Sequence, residues 1–326
     1  MSVPLQRVLI TGMGGELGTR VAQLLEGRDD VGEIQGVDLA PPRRRLRRAV
    51  FHRIDPRQRE RLRDFVLEYA PTHVVHFGVY EPASRLSPSA AAERTEQCSA
   101  VALVAAGRAG ALDGVAVRSG LEVYGTGRGH AAVPDETVPP VPRSGYGRSL
   151  LRVETIGAGV GRRHDIPVAN LRFAPIVGSH VPSPLGRLLR LPAVPVSATT
   201  DPPFSLLHPE DACRAMVEAL VRGVDGPINV AGPGATTPWQ AARLGGRLPI
   251  PVAPFAWGVA ASVTEFLGAA IASHVIELLR HGRTGCGSRA VDLLDLGRVR
   301  NTREVIEELY EWAEIVPIEA AREVAA

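Results

Sequence analysis

The residues best suited to chemistry stand close to the start of the chain. In the stretch Thr11, Gly12, Met13, Gly14, Gly15, Glu16, Leu17, Gly18, the glycines at Gly12, Gly15 and Gly18 recur every third residue. The apolar run Val8–Ile10 precedes them, and Leu17, Val21, Leu24 and Leu25 follow at helical spacing. The stretch therefore reads as strand, glycine turn, helix. Glycines so placed suit a tight turn, a backbone brought close to a pyrophosphate, and a helix packed against its strand. The first N–H groups of that helix would face phosphate oxygens. Asp38, twenty residues after Gly18 and at the end of the apolar run Ile34–Val37, can accept from both ribose hydroxyls. Dinucleotide binding is the expectation. Asp38 also repels a 2′-phosphate, which favours NAD over NADP.

Three other groups have two readings each. Asp55 can accept from an adenine amino group or cap a helix running from Arg57 to Tyr69. His76, at the end of the run Val74–Phe77, can line the cofactor or be a strand-end histidine satisfied by its neighbours. Between the second strand and the next helix, Arg43, Arg44, Arg45, Arg47 and Arg48 can seat a phosphate or form a solvated loop. One short basic run on a chain of net charge +2 is a poor footprint for nucleic acid, so no nucleic-acid partner is expected.

These residues need a scaffold. Apolar runs at Val8–Ile10, Ile34–Val37, Val74–Phe77, Val115–Val117 and Val168–Leu171 alternate with longer amphipathic stretches, the pattern of right-handed βαβ units. The fold class is α/β, a doubly wound parallel sheet of Rossmann type with a smaller, partly helical C-terminal lobe. Residues 1–178 and about 205–234 make the dinucleotide-binding domain; residues 179–204 and 235–326 make the lobe, with substrate between the two. A helix is expected over Asp211–Val221, with Asp211 at its N-terminus, and a last strand at Ile228–Val230. The apolar stretch from Pro251 to Leu279 is broken by Pro254 and Glu265, so it reads as an amphipathic helix over the cleft or a partner surface, with a membrane-surface helix as the alternative, rather than a membrane span. Arg280 and Arg283 beyond it are able to hold a phosphate. The 326 residues carry three widely spaced cysteines, Cys98, Cys213 and Cys286, which argue for a reducing compartment and against structural zinc. The first strand begins too early for a signal peptide, so a cytoplasmic home is expected.

The order of TGMGGELG, Asp38, VVHFG, SGLEVYG (Ser119 to Gly125), SGYGRSLLRVE (Ser144 to Glu154), LRFAPIVG (Leu171 to Gly178) and HPEDA (His208 to Ala212) resembles the extended short-chain dehydrogenase/reductase superfamily, in its NAD-dependent epimerase/dehydratase branch. The resemblance runs to about Gly234, with a weaker echo at Leu296–Glu304. It implies NAD lying against Thr11, Gly12, Met13, Gly14, Gly15, Glu16, Leu17 and Gly18, then Asp38, Asp55, Phe77, Gly78, Val79, Tyr146, Phe173 and Pro175. It also implies a proton relay of Ser or Thr, Tyr, and a Lys four residues after the Tyr, the Lys holding the ribose and lowering the Tyr pKa. Tyr146 matches the Tyr. The Lys position is Leu150, the hydroxyl position is Gly120, and Ser119 beside it points to the opposite strand face. Arg148 and Arg152 stand two and six residues from Tyr146 and lie off its helix face. An unassisted tyrosine, with a pKa near ~10, is ionised at only about one part in a thousand at neutral pH. Glu122 matches the glutamate base of sugar-nucleotide dehydratases, whose aspartate neighbour is here Leu121; the plainer reading is a strand-end Glu facing solvent. The resemblance further implies a symmetric homodimer paired through the segments 90–107 and 146–161. Two functions follow: an oxidoreductase or epimerase-type enzyme with an altered relay, or a non-catalytic NAD-binding sensor or companion subunit.

Overall fold

A computed structural model describes residues 5–83, 86–178 and 180–311. The strands of the main sheet are β1 (Leu5–Thr11), β2 (Val31–Asp38), β3 (Val50–Arg53), β4 (His73–His76), β5 (Gly114–Gly120), β6 (Val168–Phe173) and β8 (Gly226–Val230). All are parallel, in the order β3-β2-β1-β4-β5-β6-β8. The strand order reverses between β1 and β4, and that crevice is where ligands gather in an open α/β sheet. Because helices cover both faces, the central strands are buried: Val8, Leu9 and Ile10 are fully so, and β6 is buried at every position, Asn170 and Arg172 included.

The covering helices are α1 (Glu16–Glu26), α2 (Arg59–Tyr69), α3 (Pro88–Arg108), α4 (Gly145–His164) and α6 (Pro209–Val221). Several starts follow one local rule, a capping side chain followed by proline at the first helical position. Ser87 with Pro88 opens α3 in this way, and His208 with Pro209 opens α6. Asp211 thus lies inside α6 rather than capping it, and its buried carboxylate takes Arg214 and Arg300.

A second apolar core gathers α5 (Pro184–Leu189), β7 (Ala193–Ser197), α7 (Pro238–Leu244), β9 (Leu248–Val252), α8 (Trp257–Phe266), α9 (Ser273–His281) and α11 (Thr302–Glu311) around Leu188, Phe204 and Leu279. Between α9 and α11, α10 (Ser288–Leu294) returns to the main core through Ala290 and Leu294. The lobe expected over 235–326 extends past residue 311, outside the described residues. The apolar stretch 251–279 is two helices, and they behave differently. α8 turns only Trp257 and Thr264 inward, leaving Val259, Val263 and Phe266 exposed along with the flanking Phe255 and Leu267, and none of its residues lines the cavities of the cleft. α9 does line one of them, through His274, Val275 and Leu278.

Candidate active site

The glycine loop is shaped by contacts that a side chain would destroy. After β1 the chain turns at Gly12 with φ +75°, and a Cβ there would meet the Phe77 carbonyl oxygen at 2.8 Å. A Cβ on Gly14 would overlap the Ala40 carbonyl. Gly15 is the N-cap of α1, so the N–H groups of Glu16, Leu17 and Gly18 have no carbonyl within their own helix. Asp38 sits opposite, its Oδ2 accepting from Gly14 N–H at 3.1 Å and its Oδ1 from Leu39 N–H at 2.6 Å. Burial raises its carboxyl above the usual carboxylate range, against the lowering effect of those backbone donors. Together with Arg43, Phe77, Val79, Tyr80, Arg118 and Ile176 these residues line a cavity of about 220 Å³. An anionic diphosphate fits the bare N–H groups at the start of α1, and a ribose fits Asp38.

Not every residue expected at the cofactor lies in this cavity. Met13 is fully buried in the main core. Thr11 turns its hydroxyl to His76 Nδ1 at 2.8 Å, and that hydroxyl also accepts from Gly78 N–H at 3.2 Å, so Thr11 and Gly78 hold the loop from behind. His76 closes the same chain through Nε2 to Ser99 Oγ at 2.8 Å. Its fully buried ring is pulled down to about 3 by loss of hydration. It is a structural residue. Asp55 is absent from the lining; its carboxylate is taken by Arg57 at 2.5 Å, which holds it below the ordinary range. Nor does Asp55 cap a helix, since α2 starts at Arg59 after Gln58. Of the arginine run, Arg43 reaches the cavity, Arg44 pairs with Glu16, and Arg48 donates to the carbonyls of Leu25, Arg28, Val31 and Gly32.

Deeper in, a pocket of about 30 Å³ lies between the end of β5, the start of α4, and α9. Phe173 and Pro175 line this pocket rather than the outer cavity, and so does Tyr146. β5 ends at Gly120 and the chain folds into a 3₁₀ turn, Leu121–Tyr124, instead of running on as a strand. That turn brings Glu122 back over the strand end. A Cβ on Gly120 would overlap Glu122 Oε2 and lie 3.2 Å from Leu150 Cδ1. The carboxylate thus fills the space a serine side chain would need. Glu122 does not face solvent: it is buried, and Arg283 Nη1 donates to its Oε1 at 3.1 Å. Leu150 is fully buried beside it.

A cation does approach Tyr146, from an element the relay pattern does not use. Arg118 on β5 places Nη2 3.4 Å from the Tyr146 hydroxyl and 3.9 Å from Glu81 Oε2, while Nη1 donates to Val79 O at 3.3 Å. It lines both the outer cavity and the inner pocket. Burial pulls Arg118 down, but Tyr146, Glu81 and Glu122 outweigh that and hold it above its ordinary value. Tyr146 is pushed well up by burial, which Arg118 and Arg283 offset only in part and Glu81 and Glu122 reinforce. Its phenol is therefore a neutral donor at neutral pH. The clue to Arg118 was strand alternation: it stands two residues before Gly120 and shares its face.

Ser119 faces the other way, donating to Glu154 Oε1 at 2.5 Å. Glu154 in turn holds Arg172 through Nε at 2.9 Å and Nη2 at 2.7 Å, and Arg172 Nη1 donates to Tyr124 Oη at 2.8 Å. The Tyr124 hydroxyl in turn donates a hydrogen bond to Asn229 Oδ1 at 2.8 Å. This buried network ties α4, β5, β6 and β8 behind the pocket.

The family model described as NAD dependent epimerase/dehydratase family matches residues 8–231. The chain belongs to this family. A relative among family members, the uncharacterized protein Rv0501 of Mycobacterium tuberculosis, is 32% identical over 260 residues, covering 76% of this chain and 68% of the relative. The uncharacterized protein Mb0513 of Mycobacterium bovis matches with the same figures. Among solved structures, the UDP-glucose 4-epimerase of Thermotoga maritima with UDP-glucose superposes at a TM-score of 0.72 and 18% identity, over 98% of this chain and 100% of that one. The UDP-glucuronic acid 4-epimerase of Bacillus cereus, in complex with UDP-glucuronic acid and NAD, gives 0.71 and 17%, over 94% and 98%. The dTDP-glucose 4,6-dehydratase of Bacillus anthracis in complex with NAD gives 0.70 and 16%, over 98% of each. The family fold is thus shared over nearly the whole chain.

Proposed function

We propose that the protein binds NAD in the cavity between Gly12 and Asp38 and acts on a secondary alcohol by oxidoreductase- or epimerase-type chemistry, with Arg118 supplying the positive charge beside Tyr146. The observation that carries this reading is the Arg118 guanidinium at the Tyr146 hydroxyl, bordering the cofactor cavity as well as the inner pocket. NAD, when bound, accepts or returns a hydride. The chain's own residues do the rest: the start of α1 takes the diphosphate, Asp38 the adenosine ribose, and Tyr146 donates to the substrate oxygen. The inner pocket has room for about one water-sized group, which suits a hydroxyl. Because structural relatives carry UDP-glucose and UDP-glucuronic acid, nucleotide sugars are the first substrates to test.

Isothermal titration with both dinucleotides tests the cofactor. NAD is expected to bind more tightly than NADP, and Asp38→Ala to weaken NAD by about 1.5–3 kcal/mol through lost hydrogen bonds to a charged group. Preference for NADP would transfer the deciding role from Asp38 to Arg43. Binding without turnover on any alcohol would instead favour a sensor or companion subunit.

The reading extends to assembly and location. α3 and α4 pack side by side, and a homodimer is proposed through their outer faces, where Val104, Ile156 and Val160 border a groove. Light scattering at micromolar concentration is expected to give twice the chain mass; a monomer would refute the pairing. Cys98, Cys213 and Cys286 are all free, which supports the cytoplasm, and among the described residues no helix is long and apolar enough to cross a membrane.

A further inference from the structure

His274, at the start of α9, lines the inner pocket and is 3% exposed. Its Nε2 lies 3.1 Å from Glu81 Oε1, and its ring rests 4.7 Å from the Tyr146 ring at an angle of 43°. Its Nδ1 is buried and has no hydrogen-bond partner among the described residues. A carboxylate only accepts, so Glu81 fixes the imidazole proton on Nε2 and leaves a lone pair on Nδ1. A buried acceptor without a donor is destabilising, and a bound hydroxyl would supply the missing donor. This is the arrangement of an oriented base: one nitrogen held by a carboxylate, the other free. Tyr146 is poorly placed for that task, since burial, reinforced by Glu81 and Glu122 and only partly offset by Arg118 and Arg283, opposes loss of its proton.

We propose that His274, oriented by Glu81, is the proton acceptor of this site, while Tyr146 only donates a hydrogen bond to the substrate oxygen. The inference rests on the proposed oxidation of a secondary alcohol. The O–H bond breaks and its proton passes to His274 Nδ1, giving an imidazolium opposite the Glu81 carboxylate. The carbinol C–H bond breaks with its electron pair, which leaves as hydride to the oxidised dinucleotide, and the C=O double bond forms. The alcohol is oxidised by two electrons and the dinucleotide is reduced by two; one proton is stored on His274. Glu81 is a positioning residue, and it steadies Arg118 as well.

Two measurements on the full chain test this. Long-range ¹H–¹⁵N NMR of histidine-labelled protein is expected to show His274 protonated on Nε2 and bare on Nδ1 at neutral pH, a preference that Glu81→Ala removes. A wild-type proton on Nδ1 overturns the proposal. The second measurement follows nicotinamide absorbance with NAD plus UDP-glucose, UDP-glucuronic acid or cyclohexanol. His274→Gln is expected to slow reduction by about 10² or more with NAD affinity unchanged, and Tyr146→Phe by about tenfold or less. Loss of activity in Tyr146→Phe together with its retention in His274→Gln would overturn the role of His274 alone. A wild type that reduces NAD with none of these alcohols would sink the oxidation itself and this role with it. NAD titration and thermal unfolding establish that each variant is folded.

Discussion

Glu154→Ala is expected to cost about 3–5 kcal/mol of folding stability, because it leaves Arg172 charged, buried and without its carboxylate. Arg172 is 4% exposed and Glu154 6%, so water cannot replace the lost partner without opening the sheet at β6. Ser119 would lose its acceptor at the same time, and the Arg172 guanidinium would keep only Tyr124 as an acceptor. Urea unfolding measures the effect as a lower midpoint at unchanged slope. Replacing both partners at once, Glu154→Leu with Arg172→Met, is expected to cost much less than the single change, since no charge is then stranded. Equal losses in the two variants would mean that the network contributes shape rather than charge pairing.

Arg118→Ala is the second large effect. It removes the cation at Tyr146 and the donor between the outer cavity and the inner pocket. Turnover on any alcohol the wild type oxidises is therefore expected to fall by about 10² to 10³, the usual range for loss of one charge-stabilising donor aimed at the reacting oxygen. Arg118→Lys is expected to recover part of it, because a lysine at this position keeps the charge but loses the planar fork that now spans Val79 O, Tyr146 and Glu81. Initial rates at saturating NAD would show both. Putting the family lysine back at position 150 is a poor rescue by comparison. Leu150 is fully buried, and a serine at Gly120 would collide with Glu122, so both changes strain the pocket before they add chemistry.

What the sequence made legible was whatever depends on spacing. The glycine triplet, Asp38 and the apolar runs set the loop, the α1 start and six of the seven main strands, and the opposite orientation of Ser119 followed from strand alternation. The strands β7 and β9 were not legible, since prolines at Pro195, Pro249 and Pro251 break their pattern; such strands survive because a two-stranded sheet is all edge. β3 is only four residues long and partly exposed. Glu122 was misplaced for a different reason. The solvent-facing reading takes the end of β5 for an exposed rim, whereas the 3₁₀ turn after Gly120 tucks the carboxylate inside, under Arg283. Arg118 was overlooked because the search for a cation followed the helix of Tyr146, while the replacement comes from the neighbouring strand. His274 and Glu81 meet across 193 residues, a contact no local pattern announces.

The most direct test of this account is a crystal structure of the protein soaked with NAD. The diphosphate is expected on the N–H groups of Glu16 to Gly18, the adenosine ribose on Asp38, and the nicotinamide ribose within hydrogen-bond reach of both Arg118 and Tyr146. A nicotinamide half that lies away from Arg118, or another cation beside the Tyr146 hydroxyl in its place, would contradict it.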